Sequence, residues 1–452
     1  LIRNKKIAEL LGATFNVKSD PIHFIWIYSE QKSERLLYTC DFIFRHFLKI
    51  EFKIITQLDG KLNDGNPVIN YSKNTQAGGI QIQPEGLLFE TGIRKNIPEF
   101  RKEKDKFCLF PGKIGTSFDL FSSVFFMISR YEEWQEYKPD QHGRFELQQS
   151  ILYKNDVHLR PVVDEWIMSL REMISSQFSS FSFPAREFRT LASIDVDNLF
   201  AYKHKGLLRT SGAMLKDVLK MDFNNVSRRM AAINGKQKDP FDIYDAFSEF
   251  CHLNNIPLIY FFLFNDKGKY NRTIDPASKI FEATFRRVRD HDAIVGLHPG
   301  YDSKETEAEF SEEYNGFCKA AEEKTEFTRQ HYLRFNIRST PQLLMKIGIT
   351  ADFSMGFASG SGFRAGTSEA FPYYDLEKDR RTDFLLIPFC AMDGAYFIYQ
   401  NISAEKALIE LVKIKEGVKK VNGLFTTVFH ERTFDDQLYP DFGEMYKKLL
   451  TT

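Results

Sequence analysis

From residue 190 onward, seven short apolar runs alternate with amphipathic stretches, and this alternation constrains the fold more than any other feature of the chain. The runs are Thr190–Val196, Pro257–Phe264, Ala293–Leu297, Glu326–Gln330, Ile349–Met355, Phe384–Phe389 and Leu424–Phe429. They are rich in β-branched and aromatic side chains, which suit a pleated surface. Between them, Phe241–Leu253, Ala277–Arg289, Ser303–Glu322, Pro341–Ile347 and Ala404–Val421 place apolar residues at helical spacing. Strands that alternate with helices predict a parallel sheet and an α/β class. A stretch of about 260 residues is the size of a closed barrel; a doubly wound open sheet is the alternative.

The segment Ser175 to Arg189, SSQFSSFSFPAREFR, interrupts both periodicities with Ser clusters and a Pro, and reads as a boundary. Ahead of it, strand-like runs at His23–Tyr28, Phe52–Ile55, Pro67–Tyr71 and Gly79–Gln83 give way to helical ones. Phe118–Trp134 carries Leu120, Phe121, Val124, Phe125 and Ile128 on one face, and Arg160–Ile174 repeats the pattern. Residues 1–185 are therefore expected to form a smaller α/β accessory domain, and 190–452 the barrel. One insertion breaks the alternation. Residues 200–238 carry nine Lys/Arg against two Asp, a local charge of +7, with Met214, Leu215, Val218 and Leu219 as an apolar stripe. It reads either as a solvated helix pair packed on the barrel rim or as an electropositive lip for an anionic glycan or a lipid headgroup. On the second reading, charge reversal at Lys216 and Lys220 weakens binding.

Composition narrows the function classes. The 452 residues balance 61 Lys+Arg against 61 Asp+Glu, which argues against a nucleic-acid partner. With 44 Phe and 19 Tyr, the chain has ample apolar surface to fold. The five cysteines lie far apart with no CxxC, so neither a disulfide framework nor a thiolate zinc site is expected, and a reducing compartment is. The longest apolar run, Ile256 to Phe264, is half of what a membrane span needs. No basic-then-apolar leader precedes the first element, although the chain begins at Leu1 rather than Met. The expectation is a soluble cytoplasmic protein without a transmembrane segment, with peripheral membrane contact left open.

Catalytic groups of a parallel barrel gather at the carboxyl ends of its strands. The first run, LASIDVDN, ends in Asp195 and Asp197, which point to the same side. Two carboxylates so close repel unless a cation lies between them; the plainer alternative is that one caps the following loop. His298 follows the run AIVGL and precedes Pro299-Gly300-Tyr301-Asp302; His331 follows Gln330, and His430 follows LFTTVF. A lone His at such a place is more often a satisfied core or loop residue. Three of them, with the Asp pair, at one face of the expected barrel point to a site. One carboxylate with two imidazoles suits a divalent metal, zinc first, and equally Co, Mn, Fe or Ni. Arg329, Tyr332 and Arg334 flank His331 in TRQHYLRF. Arg364 lies in MGFASGSGFRAGTS, where Gly356, Gly360, Gly362 and Gly366 read as a flexible turn or as a substrate loop, but not as a P-loop, since no Gly-Lys-Ser/Thr follows.

In this order, the motifs resemble the polysaccharide deacetylase family, the carbohydrate esterases with a NodB-homology domain, over about Thr190 to Glu431. The resemblance implies a distorted (β/α)7 barrel that uses a divalent metal to remove an acetyl group from an N-acetylated sugar or polysaccharide. Asp195 matches the family's base and Asp197 its metal-binding carboxylate, in the spaced D-x-D form. His298 matches the first His of a His-x-x-x-His motif, whose second position is here Asp302. His331 is the preferred replacement as third ligand, and Asp302 the fallback. Arg329 and Tyr332 fit the third motif, with Arg329 orienting Asp195 and Tyr332 meeting substrate. Asp352 and the loop carrying Arg364 match the fourth motif weakly, with Arg364 binding substrate oxygens or a carboxylate. TTVFH matches the fifth, with His430 as acid to the departing amine. Phe363 and Tyr373 would stack on a sugar or pack in their own loop, and Glu132–Glu133 beside Trp134 reads as a solvated helix end. Residues 1–185 lie outside the resemblance; they look like the region that precedes such domains in some bacterial proteins. Two competing functions remain: hydrolysis of another small amide by the same centre, and non-catalytic glycan binding through a degenerate site, for which Asp302 is the argument.

Overall fold

The four strand-like runs of the N-terminal part form one parallel sheet in the computed structural model, which describes residues 24–57, 65–74, 79–95, 98–103, 106–112, 115–303 and 306–452. Its strands are Phe24–Tyr28 (β1), Glu51–Ile55 (β2), Val68–Tyr71 (β3) and Ile80–Ile82 (β4), in the order β2-β1-β3-β4. His23, residues 1–22 and residues 304–305 of the stretch expected at 303–322 lie outside the described residues. An antiparallel pair, Phe100–Glu103 (β5) with Lys106–Leu109 (β6), joins this part; it is too polar in its first strand to show as an apolar run. Asp119 caps the helix Leu120–Ile128 by accepting from Ser122 N–H, and all nine residues of that helix are buried. The helix Val162–Gln177 is one-sided and buries Val162, Val163, Trp166, Ile167, Leu170 and Ile174.

Each of the seven later runs contains a strand. In chain order these are Arg189–Val196 (β7), Leu258–Leu263 (β8), Ile294–His298 (β9), Phe327–Thr328 (β10), Ala351–Met355 (β11), and then, beyond the added Phe371–Asp375 (β12), Arg380–Pro388 (β13) and, beyond Ala391–Met392 (β14), Leu424–His430 (β15). The sheet order is β12-β13-β11-β10-β9-β8-β7-β15-β14, parallel throughout except for β12. Alternation along β7 sets the two faces. Leu191 joins Ile259, Phe261, Phe327, Phe353, Leu385 and Leu424 in a cluster enclosed by the curl of the sheet. Ala192, Ile194 and Val196 instead join the large outer core. Asp195 therefore shares the inner face with Leu191. The hydrogen-bond ladder is a linear, curled sheet rather than an uninterrupted ring. Its ends approach where β13 bends into β14: Phe389 N–H donates to Met355 O on β11, and Cys390 N–H donates to Thr426 O on β15.

Between β11 and β13 the chain makes an excursion, residues 356–379, that the N-terminal part holds. Arg35 pairs with Asp379 at 2.8 Å, Tyr38 donates to Pro372 O at 2.6 Å, and Phe363 N–H donates to His158 O at 2.8 Å. One cluster of buried apolar side chains runs from Ile25 to Leu450 through both parts. The glycines here serve close approach rather than flexibility. At Gly362, φ is +141° and an added Cβ would lie 2.8 Å from His158 O. The reading of this loop as a turn without contacts is thus corrected, and Phe363 and Tyr373 are buried in it rather than free to stack on a ligand.

The basic insertion forms two helices, Leu207–Leu219 and Phe223–Ile233, tied at their base by Asp239, whose carboxylate accepts from the N–H groups of Ala201, Tyr202 and Lys203. Leu215, Val218 and Leu219 are exposed, so the stripe expected to lie on the rim faces outward. Among the described residues no helix is long and apolar enough to cross a membrane.

Candidate metal centre

The carboxyl ends of β7, β9 and β15, with the turn after β10, bring Asp195, Asp197, His298, His331 and His430 together. Asp197 Oδ1 lies 3.5 Å from Nε2 of His298 and 3.5 Å from Nε2 of His331. One ligand atom from each of these three residues lies within 4.8 Å of the others.

The protons in this cluster can be placed from the surrounding hydrogen bonds. His298 Nδ1 is 2.5 Å from Arg329 O, a carbonyl that can only accept, so Nδ1 carries the proton and Nε2 presents a lone pair. Asn271 Oδ1 accepts from Tyr301 N–H at 3.0 Å, which fixes it as an oxygen; His331 Nδ1, 3.2 Å away, donates to the same atom. His331 also presents an Nε2 lone pair, and burial pushes its pKa down to about 3, which keeps it neutral. Asp197 Oδ1 is buried with no hydrogen-bond partner among the described residues. Its other oxygen, Oδ2, is held by Arg432. Burial alone would raise the Asp197 pKa, but the Arg432 guanidinium beside it holds it well below the usual carboxylate range.

Two lone pairs and an anionic oxygen thus face one another with no proton between them, an arrangement that repels unless a cation lies there. Ligand atoms around a tetrahedral zinc lie roughly 3.3 Å apart at Zn–N distances of about 2.0–2.1 Å. The 3.5 Å separations fit that donor set. The Nδ1 partners, a carbonyl and an amide oxygen, are of the kind that orient metal-binding imidazoles.

Asp195 sits beside this group and is held differently. Arg329 Nη1 donates to its Oδ1 at 2.7 Å, and its Oδ2 is 3.9 Å from His298 Nε2. Arg329 is fully buried, bonds Ser193 Oγ at 2.9 Å and Phe353 O at 3.0 Å, and lies over the Phe261 ring. Across the site, His430 Nε2 is 4.0 Å from Asp197 Oδ2, and its Nδ1 is 2.7 Å from Asp393 Oδ1. Burial and Arg432 push the His430 pKa down, but Asp393 prevails and raises it above the ordinary value. Asp393 is fully buried and also accepts from the N–H groups of His430 and Gly394. Glu431 accepts from the N–H groups of Asp197 and Asn198; burial and the nearby Asp197 raise its pKa to about 7.

Two expected residues lie elsewhere. Asp302 is largely exposed and pairs with Arg334 at 3.3 Å, outside the converging group. Arg364 is a correction. Its guanidinium is buried and each of its three nitrogens is engaged, two on Glu133 at 2.8 and 2.6 Å and Nη1 on Gly356 O, so it ties the two parts of the chain together rather than reaching freely for a ligand. Glu133 is likewise no solvated helix end, since Arg130 and Arg364 enclose it. Tyr332 does reach the rim. It and Leu333 have φ of +57° and +53°, left-handed values that cost roughly 1–2 kcal/mol each. The Leu333 side chain, packed with Ala358, Phe389 and Val428, and Arg144, which donates to Tyr332 O at 3.0 Å, hold that turn.

Sequence reasoning missed Asp393, Arg432 and Asn271. Asp393 obeys the rule that found the others, a polar residue after an apolar run, once the run FLLIPFCAM is followed through the bend into β14. Arg432 and Asn271 carry no comparable signal.

Residues 25–179 match a family of unknown function (DUF7033). No curated protein matches the chain. Among solved structures, a candidate polysaccharide deacetylase from Mycobacterium smegmatis is similar at 12% identity and a TM-score of 0.37, over 60% of this chain and 85% of that one. A family 4 carbohydrate esterase from Streptomyces lividans in complex with acetate is similar at 10% identity and a TM-score of 0.29, over 58% and 90%. A polysaccharide deacetylase from Bacillus cereus is similar at 12% identity and a TM-score of 0.27, over 58% and 87%.

Proposed function

We propose that this chain is a metal-dependent hydrolase that removes the acetyl group of an N-acetylated sugar. The observation that carries the reading is the convergence of two imidazole lone pairs on the unpartnered Asp197 Oδ1, flanked by an arginine-held carboxylate on one side and a carboxylate-paired imidazole on the other. What a divalent ion held by Asp197, His298 and His331 supplies there is polarisation of an acyl carbonyl and a more acidic water. Zinc suits the N₂O donor set.

The remaining chemistry belongs to the chain. Arg329 occupies Asp195 Oδ1, which leaves Oδ2 to accept the proton of the attacking water. Asp393 orients His430 and stabilises its protonated form, so that Nε2–H donates to the amide nitrogen as the C–N bond breaks. One proton is taken from water and one is given to the amine, while the water oxygen bonds to the acetyl carbon; the products are acetate and the free amino sugar.

The sugar assignment rests on the sequence resemblance and on the rim. Tyr270, Tyr301 and Tyr332 cluster beside His331 and offer ring faces to a pyranose. A groove of about 410 Å³ next to Leu333 runs between Lys138–Leu147 of the N-terminal part and Gly356, Ala358, Ser359 and Arg364 of the excursion after β11, which gives room beyond a single sugar. The test is acetate release from N-acetylated oligosaccharides by zinc-loaded and chelator-treated protein. Release that needs zinc supports the reading. A protein that binds zinc but releases acetate from no acetylated sugar overturns it.

A further inference from the structure

The helical insertion presents an apolar face that none of the described residues covers. Leu208 is 91% exposed, Leu215 60%, Leu219 74%, and Phe223, in the second helix, 64%. At about 100° per residue, Leu208, Leu215 and Leu219 fall on one line along the first helix. Leu207 and Val218 border that line on one side, and Arg209, Lys216 and Lys220 border it on the other. The opposite side, with Asp217 at its centre, faces the protein. In the second helix Phe223, Met230 and Ile233 line up in the same way, and Met221 projects from the turn between the two.

Charge on this hairpin is as one-sided as its hydrophobicity. Asp217 is buried and paired with Arg229 at 2.7 Å, and Asp222 is occupied in capping the second helix at Asn225 N–H. Among the described residues no ion pair involves Lys216 or Lys220. Arg209 is turned back onto the protein, with Thr273 O at 3.0 Å and Asp266 at 4.0 Å, so the exposed side is an apolar strip whose cationic margin is Lys216 and Lys220. A soluble protein partner would need acidic groups at the edge and an apolar ridge at the centre. An anionic bilayer offers both everywhere, with headgroup phosphates for the lysines and an acyl boundary for the leucines.

We propose that residues 206–233 dock this protein on an anionic lipid surface, with Leu208, Leu215, Leu219 and Phe223 entering the acyl boundary and Lys216 and Lys220 at the phosphates. The inference stands apart from the hydrolase reading, because it uses none of the residues of the metal centre. The hairpin follows directly from Asp197 through the segment 198–205, and a cavity of about 350 Å³ lined by Asn198, Lys205, Asn225 and Arg228 lies at its base.

The test is co-sedimentation of the full chain with vesicles of phosphatidylcholine alone and of equal parts phosphatidylcholine and phosphatidylglycerol. Binding is expected only to the anionic vesicles and is expected to weaken with added salt. K216Q with K220Q should lower the partition coefficient roughly 30-fold. L208S with L219S should abolish binding, with circular dichroism unchanged because these side chains are exposed. Absence of binding to anionic vesicles overturns the proposal, as does binding that both double variants retain. So does a dimer in sedimentation velocity, without lipid, that L208S with L219S disperses while vesicle binding persists.

Discussion

Two buried ionic clusters, about as dry and as charged as each other, differ in what they leave unused. At the junction between the two parts, Glu133 takes Arg130 and Arg364 on its two oxygens, and Arg364 Nη1 reaches a carbonyl as well. At the end of the curled sheet, Asp197 Oδ1 and Arg329 Nη2 have no partner among the described residues, and two imidazole lone pairs face the first of them. In both places burial works to raise the carboxyl pKa and neighbouring positive charge overrides it and lowers it, so neither property separates a strut from a site. Unspent bonding capacity does. A network whose donors and acceptors are matched within the protein has nothing left to offer a ligand.

The sharpest way to break this comparison is to remove groups from each cluster and read both rate and stability. Asp195→Asn and His430→Ala should each slow acetate release per folded molecule by about 10²–10⁴, because each removes a proton carrier. Full turnover by His430→Ala would strip that residue of its proposed role. Glu133→Gln should do the reverse. It leaves buried Arg364 without its paired carboxylate, while Arg130 keeps Glu132 at 2.9 Å, and should cost about 3–5 kcal/mol in urea unfolding, while kcat per folded molecule stays the same. A drop in kcat without a loss of stability would move the junction into the site.

Smaller changes sharpen the comparison. Asn271→Ala removes the acceptor that fixes the His331 tautomer and should weaken zinc binding about 10–100-fold in competition with a chromophoric chelator. Asp393→Asn acts on pH dependence. Asp393 holds the His430 pKa above its ordinary value, and the acid form of His430 is the one that donates. Without that carboxylate the alkaline limb of the kcat profile should move to lower pH; an unmoved limb would separate His430 from the titration.

What the sequence made legible follows from the same physics. Strands such as Leu258–Leu263 are buried on both faces, so they appear as unbroken apolar runs. The polar residue that ends such a run stands out against it, which is how Asp195, His298 and His430 could be found as positions. Arg364 defeats this logic, because its meaning depends on Glu133, 231 positions away, and no periodicity encodes a partner at that distance. The glycines around it look like a mobile loop, although Gly362 and Gly366 are there to let the backbone meet His158 and Val163. Asp393 was hidden by the bend that splits one apolar run into β13 and β14.

The smallest expected effect tests whether the junction is as settled as its bonds imply. Asp164, at the start of the helix Val162–Gln177, accepts from Ser368 N–H at 2.9 Å and Ser368 Oγ at 2.6 Å, and its other oxygen meets Thr367 Oγ1. Burial raises its pKa from 3.8 to about 7. Between those values the folded chain holds a proton that the unfolded chain has released. Stability therefore falls as pH rises through this window, by at most about 1.4 kcal/mol per pH unit, and the slope ends above the folded pKa. Thr367 Oγ1 donates to Asp164 Oδ1 when the carboxyl is ionised; when that oxygen carries the proton the hydroxyl turns to accept, and an Asn at this position copies the protonated form, with its amide N–H towards Thr367 and its oxygen towards Ser368. Asp164→Asn should therefore match the wild type at acidic pH and exceed it from about pH 7 upward in thermal melts. Melting curves that stay parallel for the two proteins across that range would mean that the carboxyl is ionised in the fold, and that this junction, too, holds unspent charge.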